Sequence, residues 1–120
     1  MQKEFIEQNP LLKLTFDFSV VVIAYCERLE VEKKIVIANQ RLKSSTSITA
    51  NSFEAQSAES NADFIRKIIV AAKKANEMQH WLLLCNYSGN YPQHSELLNK
   101  LKEIQKVLNK ILGSSKRNDN

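Results

Sequence analysis

The chain contains few of the residues that interrupt or end helices. Its 120 residues include only two Gly and two Pro, whereas average usage is about 7% and 5%. Long helices joined by few turns are the natural interpretation of this composition. Strands are poorly supported, because the Val and Ile clusters lie inside longer patterns with helical spacing. The sequence therefore predicts an all-α protein.

Long apolar runs and cysteines are also scarce. The longest apolar run, residues 18–26, is interrupted by Ser19 and is too short for a transmembrane helix, which needs ~20 residues. The start MQKEFIEQ carries acidic residues and resembles neither a signal nor a transit peptide. Cys26 and Cys85 fall inside predicted helices, so we interpret them as reduced core thiols rather than a disulfide or metal site. We expect a cytoplasmic protein with no membrane association.

Motifs for catalysis are missing as well. The chain has no Gly-rich phosphate loop, no Gly-x-Ser-x-Gly elbow and no evident Cys/His nucleophile pair. Glu77 and His80 form a Glu-x-x-His pair, but a di-iron bundle needs two such pairs and two further carboxylates. At 100° per residue, both also point away from the apolar seam of their helix. We expect no enzymatic activity, no metal and no cofactor.

Capping residues and apolar spacing predict four helices. Asn9-Pro10 is a helix start, Ser60 and Asp63 form a capping box, and Gly89 and Gly113 are predicted helix ends. The predicted helices cover about residues 10–30, 32–54, 61–87 and 95–112, in one domain over residues 1–113 with a disordered tail over 114–120. Short connections imply antiparallel neighbours, and so an up-down-up-down four-helix bundle.

The segment from Arg41 to Ser60 is rich in Ser, Thr, Ala and Asn but contains no Gly or Pro. This composition therefore predicts a helix followed by a short connection rather than a flexible linker. The apolar stripe that starts at Ile35, Ala38 and Leu42 continues into Ser45 and Thr49. Small side chains there allow close helix packing or leave a narrow polar seam. We favour helix packing over a ligand groove.

Two helices carry more apolar residues than one buried face requires. Residues 20–26 cover every direction around the first predicted helix, and Ile69, Val70 and Leu84 point away from the seam of the third. Self-association is the simplest way to bury this excess.

The net charge of +4 arises from 17 basic and 13 acidic residues, and the basic residues are clustered. We identify these as candidate nucleic-acid contacts: Lys33, Lys34, Arg41, Lys43, Arg66, Lys67, Lys73 and Lys74. A further ridge comprises Lys102, Lys106 and Lys110. Two interpretations stay open: a solvated bundle surface, or a surface that contacts phosphates with little sequence specificity.

The central segment resembles one known family, the four-helix-bundle proteins encoded by intervening sequences in bacterial 23S ribosomal RNA genes. The family signature is matched at these positions: Gln40, Lys43, Ser44, Ser45, Ser47, Ile48, Ala50, Asn51 and Glu54. Similar residues occur at Phe16-Asp17-Phe18, Phe64, Ala71 and Glu77. The chain departs from the signature at three positions. Thr49 replaces the usual Pro, Ala55 the usual Gly, and Leu42 a frequent Arg. The first two changes favour continued helix.

The resemblance implies a four-helix bundle that assembles into a closed ring, a pentamer. Related accessory proteins of diversity-generating retroelements share that barrel and work with nucleic acid and a reverse transcriptase. No enzymatic activity is established for the family. Residues and resemblance together predict a non-enzymatic homo-oligomer that binds RNA or DNA through basic surfaces. The alternative is a structural or protein-recruiting scaffold that does not bind nucleic acid.

Overall fold

The described part of the chain is entirely helical. The computed structural model describes residues 2–31, 34–89, 91 and 95–118, and no strand occurs among them. The helices are α1 (Gln2–Gln8), α2 (Pro10–Val31), α3 (Ile35–Ala55), α4 (Asn61–Ser88) and α5 (Ser95–Asn118). The all-α prediction is confirmed. The predicted count of four is wrong for these residues, because a short additional helix precedes the four long ones.

The four long helices pack in a closed cycle around one core. Within the described residues α2 contacts α3, α3 contacts α4, α4 contacts α5 and α5 contacts α2, while α1 contacts α2. The pairs α2/α4 and α3/α5 are therefore diagonal. This arrangement is compatible with a helical bundle.

The additional helix α1 forms from residues that favour helix, chiefly Gln, Glu and Lys. It is separated from α2 by a bend of 107°. The Asn9 side chain accepts a hydrogen bond from the Leu12 backbone N–H at 3.2 Å, which confirms Asn9 as the cap of α2. The rings of Phe5 and Phe53 meet edge to face at 6.3 Å. This contact holds α1 against the end of α3.

A seam of hydroxyl groups joins α2 to α3. The Ser19 hydroxyl lies 3.0 Å from that of Ser45 and 2.6 Å from that of Thr49. Thr49 also donates to the Thr15 carbonyl at 2.9 Å. Ser19 and Ser45 are buried, so these contacts provide the hydrogen bonds that buried polar groups require. The small residues thus act in helix packing, and α3 continues unbroken past Thr49.

Helix α4 has the predicted ends. The Ser60 hydroxyl accepts a hydrogen bond from the Asp63 N–H at 3.1 Å, while the Asp63 carboxylate accepts from the Glu59 N–H at 3.3 Å. Gly89 takes the left-handed conformation with φ 73°, which ends the helix. The buried side of α4 comprises Ile68, Ala71, Ala75, Met78, Leu82 and Cys85.

Helix α5 continues beyond its predicted end. Leu97, Leu101, Ile104 and Leu108 are buried as the spacing predicts, but the helix runs through Gly113 to Asn118. Gly113 is not among the glycines with positive φ, and a glycine in the right-handed conformation does not stop a helix. The predicted disordered tail is therefore wrong for residues 114–118, and residues 119–120 lie outside the described part.

None of the described helices is by itself long and apolar enough to cross a membrane. By length and composition alone, the sharply bent pair of α1 and residues 10–29 of α2 would meet that criterion together.

Candidate functional site

The basic candidates around α3 do not form one surface. Lys33 lies outside the described residues. Lys34 is half-buried, and its ammonium group lies 4.5 Å from the centre of the Tyr91 ring. Arg41 is fully buried, with 0% exposure, whereas Lys43 is exposed. Arg41 therefore cannot contact a phosphate at the surface of the folded chain, and its assignment as a surface contact is corrected.

The basic residues of α4 are mostly paired with carboxylates. Lys67 pairs with Glu54 of α3 at 3.4 Å, and Lys74 pairs with Glu77 at 3.4 Å. Arg66 lies 3.6 Å from Asp63. The sequence has no carboxylate between Asp63 and Glu77. The carboxylates of these two residues nevertheless pair with Arg66 and Lys74. Exposed ion pairs of this kind contribute about 0–1 kcal/mol, so they reduce the free positive charge without removing it.

The ridge on α5 is better placed for solvent contact. Lys102, Lys106 and Lys110 are exposed, and none forms a salt bridge with a described residue. Lys73 of α4 is likewise exposed and forms no salt bridge in the described chain. Since α3 and α5 are diagonal, Lys43 and the α5 ridge lie on different sides of the protein. The exposed cations are thus distributed around the molecule rather than joined in one patch.

An apolar groove lies between α2 and α3. We call it the α2/α3 groove; it is lined mainly by Phe16, Val20, Ile23, Ala50 and Phe53 and has a volume of about 350 Å³. Val20 is 65% exposed. Phe16 and Phe53 meet edge to face at 6.1 Å, which fixes one wall. Residues 20–26 predict this excess apolar surface, but the groove itself forms only where α2 and α3 meet.

A second apolar surface covers the solvent side of α4. The α4 surface comprises His80, Leu83, Leu84 and Tyr87, which line a cleft of about 430 Å³. Leu83 is 50% exposed and Tyr87 is 92% exposed. Leu84 and Ile69 are also exposed, as their direction from the seam predicts. Leu83 and Tyr87 were not identified from the sequence, although helical spacing already places both more than a quarter-turn from the seam.

The family-signature residues are buried or half-buried, or form hydrogen bonds and ion pairs of the helices. Ile48 is buried, Gln40 and Ser47 are half-buried, and Asn51 donates to the Ser47 carbonyl at 2.8 Å. Glu54 and Glu77 form the ion pairs with Lys67 and Lys74. Of these contacts, Glu54–Lys67 joins α3 to α4, whereas Asn51–Ser47 lies within α3 and Glu77–Lys74 lies within α4.

The Glu-x-x-His pair is not part of a metal centre in the described chain. His80 is exposed and its ring contacts that of Trp81 at 5.1 Å, while Glu77 pairs with Lys74. Within residues 2–31, 34–89, 91 and 95–118, no group of three or more His, Cys, Asp or Glu side chains is placed to hold a metal ion.

The buried Arg41 lies near two cysteines. Burial lowers the pKa of Arg41, and the nearby Cys85, Cys26 and Tyr25 oppose this shift. Burial raises the pKa of the Cys85 thiol, with opposing effects from Arg41 and Lys34. Helical spacing could have indicated this burial. Arg41 continues the series Ala38, Arg41, Ser45, Ile48 and Ser52 in steps of three and four, all of them buried.

The fold and its surfaces define a class of small all-helical protein with exposed apolar and basic faces. The sequence pattern of the 23S rRNA-intervening sequence protein family matches residues 7–110, and the chain belongs to that family. No curated protein sequence matches it. A similar solved structure is the 1.70 Å crystal structure of a protein with unknown function from Bacteroides thetaiotaomicron, assigned to the S23 ribosomal protein family. The two are 37% identical, with a TM-score of 0.79, over 83% of this chain and 95% of the other.

Proposed function

We propose that the protein is a non-enzymatic, cytoplasmic homo-oligomer that binds RNA or DNA with little sequence specificity. One observation supports self-association: the α2/α3 groove and the α4 surface are both apolar and exposed. The two surfaces face different directions, because α2 and α4 are diagonal in the bundle. Contiguous exposed apolar surface commonly marks an interaction site.

Two different surfaces favour a head-to-tail interface. When unlike patches meet, the growing assembly keeps one free copy of each patch at its two ends, so assembly continues until a ring closes. The family resemblance implies five protomers in that ring. Packing the α4 surface of one copy into the α2/α3 groove of the next would bury both patches.

Paired variants test this arrangement. Val20→Glu blocks the groove and Leu84→Glu blocks the α4 surface, and each alone should give monomers by light scattering. An equimolar mixture should give dimers, because each variant retains the surface that the other has lost. Val36→Glu changes an exposed apolar residue outside both surfaces and should leave the oligomer intact. A wild-type monomer at micromolar concentration, or a mixture that remains monomeric, would contradict the head-to-tail interface.

Nucleic-acid binding is supported by the exposed cations without carboxylate partners, above all the α5 ridge of Lys102, Lys106 and Lys110. Repetition around an oligomer would strengthen a contact that is weak in one protomer. The test is titration of labelled RNA at several salt concentrations. We expect affinity to fall as salt rises, since binding releases counterions. Lys106→Ala should lower the salt slope by about one per contacting protomer, whereas Lys67→Ala removes a paired lysine and should change it less.

The alternative function is a scaffold that recruits proteins. The pairing of Arg66, Lys67 and Lys74 with carboxylates favours it, because these cations then serve the fold. A scaffold would form the oligomer but show no RNA binding at low salt, so the two experiments separate the two functions.

A further inference from the structure

Arg41 is a buried cation for which the described residues offer no hydrogen-bond acceptor. Its exposure is 0%, and none of Nε, Nη1 and Nη2 has a hydrogen-bond partner in the described chain. The Cys85 thiol is the side chain that acts most strongly on the pKa of Arg41, and sulfur is only a weak acceptor. A guanidinium carries five N–H donors, and the described residues provide no strong acceptor for any of them.

No carboxylate of the described residues compensates the charge of Arg41. A guanidinium remains protonated in proteins, and leaving an ion unpaired inside a protein costs several kcal/mol. The described ionisable groups that act on Arg41 are Cys85, Cys26 and Tyr25. Burial holds the pKa of Cys85 above its ordinary value, so this thiol is neutral at pH 7. No described side chain therefore supplies the negative charge that Arg41 lacks.

A second cation lies on the same side of the core. Lys34 acts electrostatically on Cys85, as Arg41 does. Lys34 and Tyr91 also line an open cleft of about 270 Å³ at the start of α3, together with Ile35, Val36 and Ile37. Two helical turns, about 10 Å along α3, separate Lys34 from Arg41. The cleft thus opens to solvent two helical turns from Arg41, and Lys34 in its wall acts on Cys85 as the guanidinium does.

We propose that Arg41 binds a small oxyanion, of the phosphate, sulfate or carboxylate class, which reaches it from the Lys34–Tyr91 cleft. The planar fork of guanidinium N–H groups matches two oxygens of such an anion. The bound anion accepts the unused hydrogen bonds and neutralises the buried charge, and Lys34 adds a second attraction near the opening. This site takes a small ligand between the helices and is separate from the proposed RNA contacts at the surface.

Thermal unfolding at constant ionic strength tests the site. Inorganic phosphate, sulfate and acetate are titrated against chloride, with adenosine monophosphate as a phosphate carried on a bulky group. At least one oxyanion should raise the wild-type Tm by several degrees and then saturate, as expected for binding to the folded state. A response to inorganic phosphate without one to adenosine monophosphate identifies a free ion as the ligand, and a stronger response to adenosine monophosphate identifies a phosphate ester.

Three variants separate binding from general salt effects, since sulfate and phosphate stabilise many proteins without a site. Arg41→Met keeps the volume, removes the charge and should abolish the saturable increase. Arg41→Lys keeps the charge but loses the fork, and should weaken binding at least tenfold. Lys43→Met removes an exposed cation from the same helix and should respond as the wild type does. Equal increases in wild type and Arg41→Met, or no saturable increase with any oxyanion, would overturn the proposal.

Discussion

The two glycines should respond in opposite directions to the same substitution. Gly89 ends α4 with φ 73°, and Gly113 lies within α5. An added Cβ would meet no atom within 4 Å at either position. Neither substitution therefore creates a steric clash with the rest of the protein. The difference in unfolding free energy between Gly89→Ala and Gly113→Ala then reflects the backbone conformation alone.

The expected magnitudes follow from the conformations. Placing an L-residue in the left-handed region destabilises the folded state by roughly 1–2 kcal/mol. Replacing Gly by Ala also lowers the conformational entropy of the unfolded chain, which stabilises the folded state by about 0.4–1 kcal/mol. Gly89→Ala should therefore lower the free energy of unfolding by about 1 kcal/mol. In the right-handed helix, Gly113→Ala should raise it by about 0.5–1 kcal/mol.

Urea unfolding followed by circular dichroism measures both changes, at one fixed protein concentration because oligomerisation would affect stability. The two variants should differ by about 1.5–2 kcal/mol, with opposite signs relative to wild type. Destabilisation by both substitutions would refute the reasoning. It would mean that Gly113 adopts the left-handed conformation and ends the helix, as the sequence alone predicts.

Three further changes test other parts of the fold. Ser19→Ala should cost about 1–3 kcal/mol in urea unfolding, because it leaves the buried Ser45 hydroxyl with one partner fewer; Thr46→Ala, which removes an exposed hydroxyl from α3, should stay within about 0.5 kcal/mol. Ser60→Ala should cost about 1 kcal/mol through loss of the cap of α4, and an unchanged midpoint would contradict that role. Burial raises the pKa of Cys85 above its ordinary 9.0, so the neutral thiol is favoured in the folded state. The contribution of the neutral thiol to the free energy of unfolding is complete below pH 9 and is lost as the pH rises through the raised pKa of the folded state. Above pH 9, the free energy of unfolding should therefore fall more steeply in wild type than in Cys85→Ala. Parallel curves for the two proteins would argue against the raised pKa.

The ends of α4 could be predicted because they depend on local chemistry. Ser60 offers a hydroxyl to the Asp63 N–H, and Gly89 tolerates the left-handed conformation at little cost. Both effects act within four residues of the helix end. The end of α5 could not be predicted in this way. Gly113 permits a stop without requiring one, and nothing in the following Ser-Ser-Lys-Arg-Asn forbids another turn.

The charged surfaces depended on contacts between helices. Lys67 belongs to a sequence cluster without a nearby acid, but Glu54 of α3 pairs with it across the helix contact. Lys106 remains exposed because the neighbouring helices lie on the other side of α5. A count of charges along the chain therefore overestimated the free positive surface on α4, while the α5 ridge kept its predicted exposure.

By itself, the sequence determined that the chain is helical, where most helices begin, and to which family it belongs. These properties rest on local propensity, capping and short residue patterns. Helical spacing places Arg41 on the face of α3 that carries Ala38, Ser45 and Ile48, but only the tertiary structure decided that this long charged side chain is buried there. Arg41 and Leu42 point 100° apart on the helix, and a long charged side chain is ordinarily placed in solvent. Helix α3 packs between α2 and α4, and its inward face carries Arg41 together with small side chains such as Ser45, which lies 3.0 Å from Ser19 of α2.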